Sequence, residues 1–333
     1  MHDKPWLTPE QQIEHLERKG VAFKLMNRQE ALSYLKHNNN YFRLRSYRCG
    51  FDKVVGGVND GKYIGLDFAM LQDLSVIDYE LRQVLLPMTI DIEHFAKVEL
   101  FERLGRDSVD PYEIVEYYFR SKRGSQNDCM SGGSVTREID SRLNSCYING
   151  LISAYRETGY PVWVFTELIT FGTFIDFWFA VSHYLHDVEF RKRAYELQAV
   201  KGLRNACAHN NCIINNLKSG KPRYNVSYDV RNAVTGLKLQ DVNVKAKLSN
   251  ERLQHIATTL YLHSTMASTG VRANKGKQLR RLVERMYRNE SYYLRNDQIR
   301  TGFAFISGLM VDFQSQRNSL NGPRVSAASA TRN

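Results

Sequence analysis

The chain has 333 residues, 43% of them hydrophobic and 24% charged, which is the composition of an ordinary globular protein able to bury one large core or two small ones. No apolar run approaches the ~18 residues of a membrane span, and the polar start from Met1 to Trp6 lacks the apolar centre of a signal peptide, so the cytoplasm is the expected compartment. A formal net charge of +11 favours a polyanionic partner.

Helical periodicity dominates from the start. Thr8, Pro9 and Gln11 form a helix-start signal, and the run that follows ends at Gly20. Asn27 and Glu30 form a second capping box before Ala31 to Lys36. Tyr41 to Tyr47 (YFRLRSY) is short, aromatic and basic, and Val54 to Lys62 reads as a loop. From Asp67 to Leu104 runs the longest helical stretch, with Phe68, Leu71, Leu74, Ile77, Leu81 and Leu85 on one stripe. Pro87 is expected to kink or divide it. Asp78 with Arg82, and Glu93 with Lys97, stand at ion-pair spacing on its polar side.

Lys122 to Ser134 contains three glycines and reads as a mobile loop. Helices are expected at 136–158, 163–185 and 188–210. A mixed segment from Asn211 to Ala246 follows, with possible short strands near Arg223–Tyr228 and Leu237–Val242. Helices return at 249–267, 276–288 and 297–311. The expected organisation is an N-terminal helical extension (1–64), a mostly helical domain (65–312) and a disordered tail (313–333).

The five cysteines, Cys49, Cys129, Cys146, Cys207 and Cys212, show no zinc-ligand spacing and read as reduced thiols. His183, His186 and Asp187 are close together but make a poor metal set. Neither a phosphate-cradling glycine loop nor a nucleophile elbow is present, and no cofactor or metal is expected.

The sharpest feature is Arg204-Asn205-Ala206-Cys207-Ala208-His209, near the end of a helix through Leu197, Val200 and Leu203. Five residues turn a helix by about 140° net, so Arg204 and His209 flank a strip that the small Ala206 and Ala208 leave open. A second helix can approach there, and two copies about a two-fold axis can gather two Arg and two His in one cleft. This chemistry suits RNA cleavage. An imidazole takes the 2′-hydroxyl proton or protonates the leaving oxygen, and a guanidinium stabilises the crowded phosphate. Asn205 can hold a phosphate oxygen or orient the His. The plain alternative is an Arg on a helix face and a His capping the terminal carbonyls.

The string LRNACAHNN resembles the LRN-x-CAH signature of abortive-infection (Abi) proteins of the AbiD/AbiF group, whose R-x4-H is the HEPN ribonuclease motif. Other pieces match in order: Lys4 to Thr8 with Gln11 to Ile13, then YFRLRSY, then Asp78 with Leu81-Arg82 and Ile92-Glu93, then Trp163, Glu167, Phe171 and Gly172. The likeness spans roughly residues 4–310. It departs from the family at Asn210, Asn211 and Cys212, where a second His or an Arg is common, and at Lys97, where Arg is frequent. The resemblance implies an all-α, HEPN-like helical bundle with a small irregular or β insertion after the motif helix. It also implies metal-independent RNA cleavage at a site built by a dimer (here a homodimer is expected) or a pair of HEPN units, a role in phage defence or a toxin–antitoxin pair, and for some relatives a small regulatory non-coding RNA. A non-catalytic HEPN module that holds such an RNA is the alternative.

Arg82 and Glu93 on the long helix are candidates to support the motif, or else form a structural charge stripe. Arg280, Arg281 and Arg285, within a basic segment from Arg272 to Arg288, and Arg43 and Arg45 beside Tyr41, Phe42 and Tyr47, are candidate RNA contacts or solvated basic faces.

Overall fold

The computed structural model describes residues 5–123, 132–237 and 239–315. Among these the fold is all-α: fifteen α-helices, two short 3-10 turns and no sheet, with isolated bridges pairing Ala22 with Asp67 and Lys53 with Tyr63. In chain order the helices are α1 Pro9–Arg18, α2 Arg28–His37, α3 Tyr41–Leu44, α4 Phe68–Arg106, α5 Glu113–Arg123, α6 Gly132–Asp140, α7 Asn149–Tyr155 and α8 Val162–Leu168. There follow α9 Phe171–Tyr184, α10 Val188–Ala208, α11 Tyr228–Gly236, α12 Val244–Leu248, α13 Glu251–Met266, α14 Thr269–Tyr287 and α15 Asp297–Ser315. The 3-10 turns are Arg45–Gly50 and Glu290–Tyr293. Among the described residues no helix is long and apolar enough to cross a membrane.

Both local start signals act as read. The Thr8 hydroxyl accepts from the Gln11 amide while the Gln11 side chain accepts from Thr8, and Asn27 and Glu30 do the same for α2.

Two hydrophobic cores are strung along α4, a rod of about 58 Å. The first gathers α1 to the 3-10 turn at Arg45–Gly50, the α4 residues from Phe68 to Met88, the end of α10, and α11 to α15. The second gathers Ile92 to Leu104 of α4 with α5 to α9 and the earlier turns of α10. Pro87 sits at the junction and α4 runs on without a break. Leu85 and Met88 on one side and Ile92 on the other are fully packed, and that burial holds the helix across the one hydrogen bond the proline ring cannot donate. The motif helix α10 crosses between the same cores: Phe190, Ala194, Leu197 and Val200 lie in the second, Leu203 and Cys207 in the first.

Several expected elements differ. The region 136–158 holds two short helices, α6 and α7, joined by turns, and 163–185 is split into α8 and α9 at Thr170, which caps α9. The possible strands at 223–228 and 237–242 are absent among the described residues; α11 and turns stand there instead. Their alternating apolar residues insert singly into the first core, without a partner strand. Two glycines of α15 receive leucines of the wider mixed segment, Leu217 and Leu239. A Cβ at Gly302 would meet Leu217 Cδ1 at 2.6 Å, and one at Gly308 would run into Leu239 Cδ2. Of the loop expected at 122–134, residues 124–131 fall outside the described set, and α5 and α6 cover the ends. Of the tail expected at 313–333, α15 includes 313–315 and the rest lies outside the described residues.

Candidate active site

Arg204 stands where α10 passes between the two cores. Its Nη2 lies 3.1 Å from Glu93 Oε2 on α4, and its guanidinium carbon lies 5.4 Å from the centre of the Phe171 ring. Burial pushes the Glu93 carboxyl above its ordinary value; Arg204 and Lys97 oppose that shift without cancelling it. The helix-spacing pair expected between Glu93 and Lys97 is not formed as a contact. Lys97 instead reaches Glu167 of α8, with Nζ 2.9 Å from Oε1. Glu93 turns towards α10 because Arg204 is the cation facing it across the seam. Four helices thus supply one charged cluster: α4 gives Glu93 and Lys97, α8 Glu167, α9 Phe171 and α10 Arg204.

Asn205 and His209 are exposed, and among the described residues neither side chain has a hydrogen-bond or ion-pair partner. His209 is the C-cap of α10. Asn210 follows at φ 60°, its N–H donates to Cys207 O, and the Asn211 N–H donates back to Ala206 O at 2.8 Å. This Schellman ending uses Asn where Gly is commonest, and it fixes the direction in which the chain leaves His209.

The segment leaving that turn is anchored by Asp78, which is fully buried. Its Oδ1 accepts from the backbone N–H of Ile213 (2.8 Å) and Ile214 (3.0 Å). Its Oδ2 accepts from the Tyr47 hydroxyl (2.9 Å) and from Arg82, and Arg43 Nη2 approaches to 3.7 Å. Arg82, also buried, lies 3.4 Å from the Asn211 carbonyl. The Asp78–Arg82 pair is therefore a buried brace behind the motif's end. The i,i+4 spacing gives Asp78 its Arg82 partner; the three further donors, the Tyr47 hydroxyl and the Ile213 and Ile214 N–H groups, come from two distant parts of the chain and are not visible in it.

Arg43, Arg82 and Asn210 line one side of a polar cleft of about 430 Å³, faced by Asn38, Asn39, Asn40 and Tyr79. The asparagine run just ahead of YFRLRSY is the signal that could have marked it. Arg45 is exposed beside Phe42, 5.6 Å from that ring. Arg280 and Arg281 are exposed on α14. Arg285 is a correction: it is buried, with Nη1 2.9 Å from Asp73 and Nε 3.7 Å from Glu80, so it points into the protein and is not a surface contact for RNA. Helical spacing from Leu282 and Met286, its buried neighbours, carries it inward. Ala206 also differs from expectation. It packs against the chain's own first core, while Ala208 is exposed. Cys207 is buried and its thiol is pushed up to about 12, which makes it a packing group. Among the described residues no three His, Cys, Asp or Glu side chains cluster as a cation site.

A family model described as Abi-like protein matches residues 33–215, more than half of the chain. The chain belongs to the Abi-like family. No curated protein and no solved structure matches. Membership of the Abi-like family points to abortive infection, a form of phage defence. The family match ends just past Ile213 and Ile214, and so includes Arg43, Asp78, Arg82, Glu93, Arg204 and His209. Helices α11 to α15, which close the first core, lie beyond it.

Proposed function

We propose that this Abi-like protein is a metal-independent endoribonuclease of the HEPN type, acting in abortive infection or as the toxin of a toxin–antitoxin pair. The observation that carries this reading is an exposed His209, without a partner among the described residues, at the end of the helix that holds Arg204 at the seam between cores. His209 serves as general base or acid, Arg204 stabilises charge on the phosphorane, and Asn205 holds a phosphate oxygen. Arg204 and His209 diverge by about 140° around α10. One copy therefore serves a single phosphate poorly, and a homodimer about a two-fold axis supplies Arg from one chain and His from the other. The +11 charge and the cleft beside Asn210 favour an RNA partner.

The test is RNA cleavage by wild type and by His209→Ala. His209 is exposed at a helix end, so the variant should melt as wild type does and lose cleavage. Wild-type cleavage should persist in excess EDTA and leave 2′,3′-cyclic phosphate ends. A folded His209→Ala protein that still cuts RNA would remove the assignment. The second reading is an RNA-holding module without catalysis. It is favoured by the Glu93 pairing, which already engages the Arg204 guanidinium within one chain. Salt-sensitive binding of a structured small RNA by a wild-type protein that cleaves nothing would select it.

A further inference from the structure

A cavity of about 290 Å³ lies between α13, α14 and α15, against Met88 of α4. Its floor is apolar, formed by Met88, Leu260, Leu279, Met310 and Phe313. Its other lining includes Arg272, Lys275, Lys277 and Arg280, and no acidic residue. Arg272 is occupied: it donates to the Ser264 carbonyl at 2.9 Å and to the Thr269 hydroxyl. Lys275, Lys277 and Arg280 have no ion-pair partner among the described residues. Three cations without ion-pair partners among the described residues, around an apolar floor, create a local positive field, with Asp91 behind His263 the nearby carboxylate.

One further group narrows the ligand. His263 is 3% exposed and lines the cavity. Its Nε2 lies 3.1 Å from Asp91 Oδ2. With Nε2–H donating to that carboxylate, Nδ1 is left as an acceptor, and among the described residues it has no donor. Burial holds this imidazole's pKa below its ordinary value, although Asp91 acts in the other direction. The cavity thus offers cations for an anion, an apolar floor for a flat or greasy body, and a buried acceptor for an N–H or O–H on that body. A fatty acid would satisfy the first two and leave the acceptor unused. A nucleotide meets all three, and the volume lies just below the ~300 Å³ at which small-molecule sites ordinarily begin, which suits a monophosphate over anything larger.

We propose that this cavity binds a nucleoside monophosphate, with its phosphate at Lys275, Lys277 and Arg280 and its base over Met88, Met310 and Phe313. The site is separate from the Arg204 cluster. Asp91 and Glu93 are two residues apart on α4, about 200° around the helix, so the two sites lie on opposite faces of one rod. The proposal does not rest on ribonuclease activity. The phosphate can come from a free nucleotide or from the 5′-phosphorylated end of an RNA.

The experiment is calorimetric titration of the full chain with AMP, adenosine and inorganic phosphate. AMP should bind saturably, and adenosine and phosphate at least about tenfold more weakly, because each lacks one half of the recognition. Lys275→Glu with Arg280→Glu should weaken AMP by about tenfold or more. Ala273→Trp, at an exposed position on the rim, should block it without altering charge, and decides the matter if the double variant does not fold. A 5′-phosphorylated trinucleotide that displaces AMP where its 5′-hydroxyl counterpart does not identifies an RNA end as the source; failure of both to compete identifies the free nucleotide. Absence of saturable AMP binding by wild type, or unchanged binding in the folded variants, overturns the proposal. Either result leaves the His209 test untouched.

Discussion

Arg204 and Glu93 meet across α10 and α4, 3.1 Å apart, at the level where both helices leave one core and enter the other. Glu93 is largely enclosed, and burial outweighs its cationic neighbours in setting its proton affinity. Removing Arg204 therefore strands a carboxylate, whereas removing the charge of Glu93 relieves one. Arg204→Ala should lose about 1–3 kcal/mol of stability, and adding Glu93→Gln should restore most of it. Urea denaturation of the two single variants and the double variant measures this. An Arg204→Ala chain as stable as wild type would show that the pair does not form in solution.

Asp78 satisfies two backbone N–H groups, one tyrosine and one arginine, all away from water. Asp78→Ala should cost about 3–5 kcal/mol by leaving Arg82 buried without its counter-charge. The shift of the urea midpoint checks it, and a loss under about 1 kcal/mol would mean that Asp78 is not the anchor.

Asn210 at φ 60° decides where the chain goes after His209. Asn210→Gly should leave stability unchanged or slightly raised. Asn210→Val should cost about 1–2 kcal/mol, since a β-branched residue resists that conformation. If the proposed function holds, cleavage falls in the Val variant and survives in the Gly variant. Equal melting of the two would show that the left-handed turn is not what fixes this exit.

The acid limb of stability follows from three histidines, His263 buried and His255 and His15 half-buried. Burial depresses His263, His255 and His15 below their ordinary 6.5. Between the depressed values and 6.5 the unfolded chain holds more protons than the folded one. Stability therefore rises with pH through that window and is lost as pH falls through it; below the depressed values both states are protonated and these groups add nothing further. Glu93, raised above 4.5, acts with the opposite sign between 4.5 and its folded value. Melting temperatures at pH 7 and pH 5.5 should differ less in His263→Asn than in wild type. An identical difference would show that His263 is accessible to protons in the folded state.

Assembly is tested at Ala208. Ala206 touches its own core, so a bulky residue there would disturb the monomer. Ala208 is exposed. If the proposed function holds, Ala208→Trp should leave the melting temperature of the monomer unchanged, convert a sedimenting dimer to monomer and remove cleavage. A wild type that is active as a monomer sinks the two-chain site.

What the sequence shows plainly is what depends on near neighbours. The Thr8–Gln11 and Asn27–Glu30 boxes are read correctly because each is complete within four residues. Glu93 and Lys97 mislead because spacing gives the partners a helix allows, not the ones other helices bring. Arg204 and Glu167 outcompete them only once α8 and α10 are in place. The apolar alternation after Leu237 imitates a strand for the same reason, since what it packs against is the Gly308 notch on α15. Arg285 looks like part of a basic surface until Asp73, more than two hundred residues earlier, is brought beside it. Arg204 and His209 were legible as a motif, but their opposite settings, one held in a seam and one bare at a helix end, were not.

The first core is closed by both ends of the chain. Asp73 of α4 receives Arg285, Asn289 and Tyr293, and the Gly50 carbonyl receives Asn296. While the ribosome is still adding α13 to α15, one flank of α4 and the end of the motif helix lack their covering, and residues from Ile13 to Met88 wait for a surface not yet made. Arg204, Glu93 and Phe171 are thus all in place early in synthesis, and the covering of the motif helix's last turn comes late, from helices that begin far beyond His209.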